Sequence, residues 1–203
     1  AKGVLAEEKN ESAAKYNLGN IIVSATKTEA YQAEVGSSTT VITAEDIKKT
    51  GKRTVQEVLR RVQGVSVIQS GSFGGLTSVY LRGSNPGHTL VLIDGIEVND
   101  PIKTDRSFDF GHLTTDNIER IEVVRGPQST LYGSDAMGGV INIITKTGKG
   151  IPQCSVSSES GSHRTFRENA QVSGGTKTVN YSVSASHLDT DGISKATGGS
   201  EED

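Results

Sequence analysis

The run from Ile118 to Lys146 constrains this chain more than any other stretch of its sequence. It carries no nucleophile, metal-ligand set or phosphate loop, so it does not read as catalytic. Its residues specify a backbone instead: a short helix, a strand, a corner at Gly126-Pro127, a second tight turn, and a Gly138-Gly139 step into the apolar strand Val140–Ile144. Proline fixes φ and glycine reaches backbone conformations closed to other residues, so such punctuation leaves the chain few paths. At least one of Gly138 and Gly139 is expected at positive φ.

The surrounding composition allows a modest core and little else. The chain has 203 residues, 33% of them hydrophobic and 4% aromatic, which suits one domain or one domain with an appendage. Its net charge of −3 creates no field that would gather nucleic acid or anionic lipid. Lys48, Lys49, Lys52, Arg53, Arg60 and Arg61 cluster locally and read as a solvated helix face. Cys154 is the single cysteine, which excludes an intrachain disulfide. No apolar run approaches the ~20 residues of a membrane helix. The start at Ala1, without Met or an apolar signal core, reads as a processed or engineered product.

Along the chain, residues 1–18 are polar and without period, as in a mobile arm. Asn20 to Thr26 and Ser37 to Ile42 are strand-like. Thr43 followed by Asp46, and Thr54 followed by Glu57, are capping-box spacings that start two helices. The first stops at Gly51. The second carries Val55, Val58, Leu59 and Val62 on one stripe and ends at Gly64. Short strands follow at Val65–Gln69, Ser78–Arg82 and Thr89–Ile93, the last apolar enough to be buried on both faces. Asp94-Gly95 is a hairpin signal that returns Ile96–Val98 antiparallel. Mixed helices and strands make the class α+β, a small mixed sheet with short helices. Past Gly148–Pro152 helix signals vanish. Phe166, Ala170 and Val172, then Val179, Tyr181, Val183 and Ala185, alternate with polar residues around a turn expected at Gly174–Lys177. A transmembrane barrel strand and a soluble antiparallel sheet both fit that alternation. The tail after Gly192 is acidic and Gly/Ser-rich and expected to fray.

Four segments, in order, resemble the plug domain of TonB-dependent outer-membrane receptors: Gly19 to Ala25, Val79 to Gly83, Leu92 to Asn99, and the run Ile118 to Lys146. In that family a globular N-terminal plug fills a β-barrel. The stretch from Thr77 to Gly95 looks most like the cobalamin (vitamin B12) receptor type. The resemblance implies a mobile arm at 1–18, a TonB box at 19–25, a plug at 26–149, and at 150–203 the first strands of a barrel of which the rest is missing. It places the chain at the cell outer membrane, with the plug in the barrel lumen and its N-terminus facing the periplasm. Its implied partners are TonB, the barrel of the same receptor, and a small-molecule nutrient, cobalamin or a siderophore, with no nucleic acid and no cofactor.

By the same resemblance, Asn20, Ile21, Ile22, Val23 and Ser24 would bind TonB by adding a strand to its sheet, and they lie ahead of the folded core where such pairing is sterically open. Arg82 and Arg125 each end an apolar strand before a glycine. They would hold barrel glutamates with a planar fork that stays charged when enclosed. Pairing inside the plug with Glu119, Glu122 or Asp94 is the competing expectation. The loops 70–75, 84–88 and 99–106 would face the substrate, offering Ser72, Phe73, Asn85, His88, Asp100 and Arg106.

Catalytic readings find no support in spacing. No zincin, nucleophile-elbow or P-loop motif occurs, so no catalytic residue and no metal ligand is assigned. His88, His112, His163 and His187 are scattered without ligand spacing. Asp189 and Asp191 hint at calcium, but the carboxylate set is incomplete and a surface turn reads better. The alternatives are a siderophore or haem receptor plug, or a free periplasmic binding module on the same fold with residues 150–203 as a soluble hairpin.

Overall fold

A computed structural model describes residues 36–176 and 178–191, together with 21, 22, 24, 30 and 31. The expected arm at 1–18, Asn20, Val23 and the tail from Gly192 lie outside the described residues. The elements in chain order are β1 (Ile21–Ile22), β2 (Ala30–Tyr31), β3 (Ser38–Thr43), α1 (Ala44–Thr50), α2 (Val55–Leu59), β4 (Val65–Gln69), β5 (Thr77–Leu81), β6 (Thr89–Ile93) and β7 (Ile96–Glu97). They continue with β8 (Ile118–Arg125), α3 (Ser129–Tyr132), β9 (Gly139–Thr145), β10 (Gln153–Gly161), β11 (Thr165–Gly175) and β12 (Asn180–Asp189). The class is α+β, as the sequence implies.

A five-stranded sheet in the order β3-β8-β9-β6-β7 is the frame. β6 and β9 run parallel in it, and the other neighbours are antiparallel. Alternation splits the sheet cleanly. Val91, Ile121, Val123, Ile141 and Ile143 face a first core completed by Ile47, Val55, Val58 and Leu59 from the helices and by Val79 and Leu81 of β5. Val62 joins this core from the turns after α2, which stops at Leu59 and not at the expected end, Gly64. Leu90, Leu92, Val124 and Val140 face the other way, into a second core with Ala136 and Ile22. Burial on both faces is why Leu90 to Ile93 of β6 read as an unbroken apolar run. Two residues break the pattern: Glu122, in the middle of β8, is fully buried on the second face, and its cross-strand partner Asn142 on β9 is buried beside it.

Local signals are realised closely. Thr43 and Asp46 exchange both bonds of a capping box, and Gly51 closes α1 at φ 63. Asp94 and Gly95 both take positive φ, 51 and 82, as the tight hairpin between β6 and β7 requires. Gly139 has φ 146, and a Cβ there would stand 2.2 Å from the Val124 carbonyl oxygen, so any side chain is excluded. The short helix of the diagnostic run follows the Gly126-Pro127 corner as α3 instead of leading the run. The strand expected at Ser78–Arg82 is shifted one residue, which leaves Arg82 beyond β5 at φ 50.

β10, β11 and β12 form a separate antiparallel sheet. Its second turn lies at Thr176–Val179, where the Thr176 amide donates to the Val179 carbonyl. Gly174 and Gly175 stay inside β11 instead of making that turn. A Cβ at Gly174 would stand 2.6 Å from the Tyr181 hydroxyl and 2.9 Å from its ring, so this glycine makes room for an aromatic on the neighbouring strand.

Candidate functional site

Four places gather the chemistry-bearing residues. The first is the second face of the five-stranded sheet, where the N-terminal strip lies. Ile22 is wholly buried in the second core. Ser24 is wholly buried too, and donates from its amide and its hydroxyl to Glu122 Oε2, at 2.9 and 2.6 Å. The other carboxylate oxygen of Glu122 accepts from Arg120 Nε at 2.9 Å. A buried charge without partners would be costly, and here three donors answer it. Tyr132 sits close enough that burial, and then the Glu122 charge, raise its pKa. At Ile22 and Ser24 the strip is therefore stowed on the sheet. That corrects the expectation of a segment open to a partner ahead of the core, because the carboxylate that holds it lies 98 residues away in sequence.

The second place holds Arg82 and Arg125. Their aliphatic stems both pass Gly64, each 3.6 Å from where its Cβ would be. Arg125 donates to the Gln63 carbonyl, to Thr40 Oγ1 at 2.7 Å and to the Ser38 carbonyl at 3.5 Å. Burial, and then the nearby Arg82 charge, lower its pKa. The internal carboxylates weighed as partners are engaged elsewhere: Glu119 and Glu122 with Arg120, and Asp94 with the amide and hydroxyl of Thr145. Two adjacent guanidiniums thus stand at one rim, next to a hollow of about 320 Å³ walled by Ile42, Val58 and Arg61.

The loop residues fall into two groups. Ser72 and Phe73 line a cavity of about 720 Å³ with His112, Arg60, His163 and Arg167. Asn85, His88 and Arg106 line a separate hollow of about 280 Å³ with Asp135 and Met137. Arg106 is held there by Glu97 at 3.1 Å and Asp135 at 3.0 Å. Asp100 lies in neither, its carboxylate accepting from the Ile102 amide. At the calcium hint, Asp191 pairs with Arg164 at 3.5 Å.

The fourth place is the seam between the two sheets, and sequence reasoning missed it. Arg167 on β11 pairs with Asp116, both largely enclosed. Asn117 Oδ1 accepts from Gln171 Nε2 at 3.1 Å and from Ser182 Oγ at 3.4 Å. Arg53 and Glu159 close the exposed end at 3.0 Å. Among these, only Glu122 carried a legible signal, a carboxylate at the buried phase of an apolar strand. Asp116 and Arg167 resemble any surface pair until the strands are in place.

A family model of the TonB-dependent receptor plug domain matches residues 32–140, over half of the chain. The chain belongs to this family. It is 38% identical over 182 residues to the vitamin B12 transporter BtuB of Vibrio vulnificus (strain CMCP6), a match covering 90% of this chain and 28% of that protein. It resembles the siderophore receptor PirA from Acinetobacter baumannii with a TM-score of 0.60 at 31% identity, over 75% of this chain and 24% of that one. The ferripyoverdine receptor of the outer membrane of Pseudomonas aeruginosa shares the fold, with a TM-score of 0.69 at 23% identity over 84% and 22% of the two chains. The chain therefore spans about a quarter of the length of the TonB-dependent receptors it matches.

Proposed function

We propose that this plug is the gate of an outer-membrane receptor that imports a scarce, bulky nutrient, cobalamin, under the control of TonB. The observation that carries the gating role is the stowed strip: an apolar segment of strand-adding character is held on the plug by hydrogen bonds to one carboxylate. Released, Asn20 to Ser24 would add a strand to the sheet edge of TonB. Stowed, Ser24 has its amide engaged by Glu122, and Ile21 and Ile22 are paired with β2. The assignment of cobalamin is supported by the identity to the vitamin B12 transporter. The siderophore receptors among the structural relatives favour a ferric siderophore as the second reading.

In this reading the sheet β10–β12 begins the barrel wall, the plug sits in the barrel lumen, and the plug's N-terminus faces the periplasm. Two features support it. Val156, Val172, Val183 and Tyr181 share an exposed outward face, while Arg167 and Gln171 turn inward to the plug. Arg82 and Arg125 would meet glutamates elsewhere on that wall, since Arg pairs carboxylates bidentately and stays charged in an enclosed lumen. The cavity at Ser72 and Phe73 would receive part of the nutrient, with Asn85, His88, Asp100 and Arg106 on neighbouring loops.

Titration of the full-length receptor with cobalamin, haem and ferric siderophores, followed by uptake with and without TonB, tests the proposal. Saturable cobalamin binding with TonB-dependent uptake is expected. Tight binding of a ferric siderophore and none of cobalamin would replace the nutrient and keep the gate. Uptake indifferent to TonB would remove the gate.

A further inference from the structure

Resting on the receptor reading above, we propose that Asp109 is a positioning residue of the nutrient site: its carboxylate clamps the loop 70–76 and so presents Phe73 to the nutrient in a preformed pose. The loop joins β4 to β5 and holds three glycines, Gly71, Gly74 and Gly75. Left to itself such a loop would sample many conformations, because glycine reaches most of the backbone map. Here it is held to one. The Ser70 amide donates to the Leu76 carbonyl at 2.9 Å, and the Gly75 amide to the Ser72 carbonyl at 3.0 Å. Gln69 Nε2 donates to that same Ser72 carbonyl at 2.7 Å, and the Thr77 hydroxyl donates to the Gly75 carbonyl at 2.8 Å. Within this frame Phe73 stays exposed, on the wall of the cavity of about 720 Å³.

What ties the loop to the rest of the plug is Asp109, 32 residues beyond Thr77. One of its oxygens, Oδ1, accepts from the Thr77 amide and from the Gly111 amide, both at 2.9 Å. The Phe110 amide returns a bond to the Thr77 carbonyl at 3.1 Å, so the two segments hold each other from both sides. Their approach is close. A Cβ on Gly111 would stand 2.6 Å from the Gly75 carbonyl oxygen, and one on Gly74 would stand 2.8 Å from the His112 ring. The Asp109 segment is itself anchored: Phe110 is buried in the first core with its ring edge-on to Phe108, and the Leu113 carbonyl accepts from the Val55 amide of α2. A hydrogen bond to a carboxylate is stronger than one between neutral groups, and Asp109 makes two with one oxygen. A loop ordered before the nutrient arrives spares binding the entropy of ordering it.

Binding to the full-length receptor tests this, with cobalamin as the probe, or ferric enterobactin if cobalamin does not bind. Asp109→Ala frees the loop, and a binding-competent fraction of about a tenth would raise the apparent Kd ~10-fold. Asp109→Asn keeps an acceptor oxygen in place and should recover most of that loss. Phe73→Ala should weaken binding by itself, and adding Asp109→Ala to it should cost little more, because the clamp acts through Phe73. Hydrogen exchange at residues 71–77 should quicken in Asp109→Ala and keep the parent rate in Phe73→Ala. Parent-like binding by Asp109→Ala, equal losses in Asp109→Ala and Asp109→Asn, or losses that simply add to that of Phe73→Ala would overturn the positioning role and leave the receptor reading standing. Binding indifferent to Phe73→Ala would instead show that the nutrient does not meet this loop, and the assignment of that cavity would fall with the clamp.

Discussion

Replacing Ser24 with Ala removes one of the two bonds from Ser24 to Glu122 and leaves the backbone bond and the burial of Ile22 in place. The lost bond is short, 2.6 Å, and ends on a buried carboxylate. Hydrogen bonds to charged groups contribute ~1.5–3 kcal/mol net. At ~1.4 kcal/mol per tenfold, the ratio of stowed to released strip should fall by about one to two orders of magnitude. The global stability of the plug should barely change, because the sheet keeps its ladders and Glu122 keeps Arg120. Hydrogen exchange at residues 20–24 reads the strip directly, and fluorescence anisotropy with the periplasmic domain of TonB reads its availability. Faster exchange at the strip alone and tighter TonB binding without nutrient are expected. Glu122→Gln, which keeps the shape and neutralises the acceptor, should act the same way. Unchanged exchange at 20–24 in both variants would mean that the carboxylate does not hold the strip, and the stowing argument would fail.

Three further outcomes follow from the same coordinates. Gly139→Val forces a β-branched residue to φ 146 with its Cβ 2.2 Å from a carbonyl oxygen. It should cost well over the ~1 kcal/mol of a simple propensity change, visible as a lower melting temperature by circular dichroism. Asp116→Ala strands the enclosed Arg167, and breaking such a pair from one side costs ~3–5 kcal/mol. Exchange should rise across β10–β12 and around residues 114–118, with α1 unaffected. At the α1 cap, side-chain and backbone hydrogen bonds from Thr43 lower the Asp46 pKa. A depressed carboxylate pKa means a contribution that is complete above the ordinary ~3.9 and lost as pH falls through the depressed value. Thr43→Ala should therefore cost ~1 kcal/mol at neutral pH, and the gap from the parent should narrow in acid melts.

What could be read from the sequence was what neighbouring residues settle between themselves. Thr43 with Asp46, Asp94 with Gly95, and the stripe of Val55, Val58, Leu59 and Val62 each complete their argument within a few positions; the structure follows the first two and buries the whole stripe, although α2 itself stops at Leu59. The Gly126-Pro127 corner and the Gly138-Gly139 step belong to the same class. The sites depend on approach instead. Ser24 meets Glu122 across 98 positions, and Asp116 meets Arg167 across 51. No periodicity encodes such a meeting, because each residue taken alone is an ordinary polar side chain. The alternation beyond Phe166 gave the two faces of β11 correctly, but which face would be covered depended on Asp116 and Asn117, residues outside that segment.

The borders of the three-stranded sheet carry a practical consequence. β10 and β12 each have one flank with no neighbour among the described residues. A bare flank presents rows of amides and carbonyls that accept any extended strand. The adjoining face shows Val156, Val172, Tyr181 and Val183 to solvent. Kept alone in water, copies of this chain should join flank to flank, so particle size would climb with concentration and drop when detergent covers the apolar face. Binding curves recorded on such clusters would report crowding as well as affinity. In a closed wall both flanks would be sealed by further strands, and the same sequence would stay single.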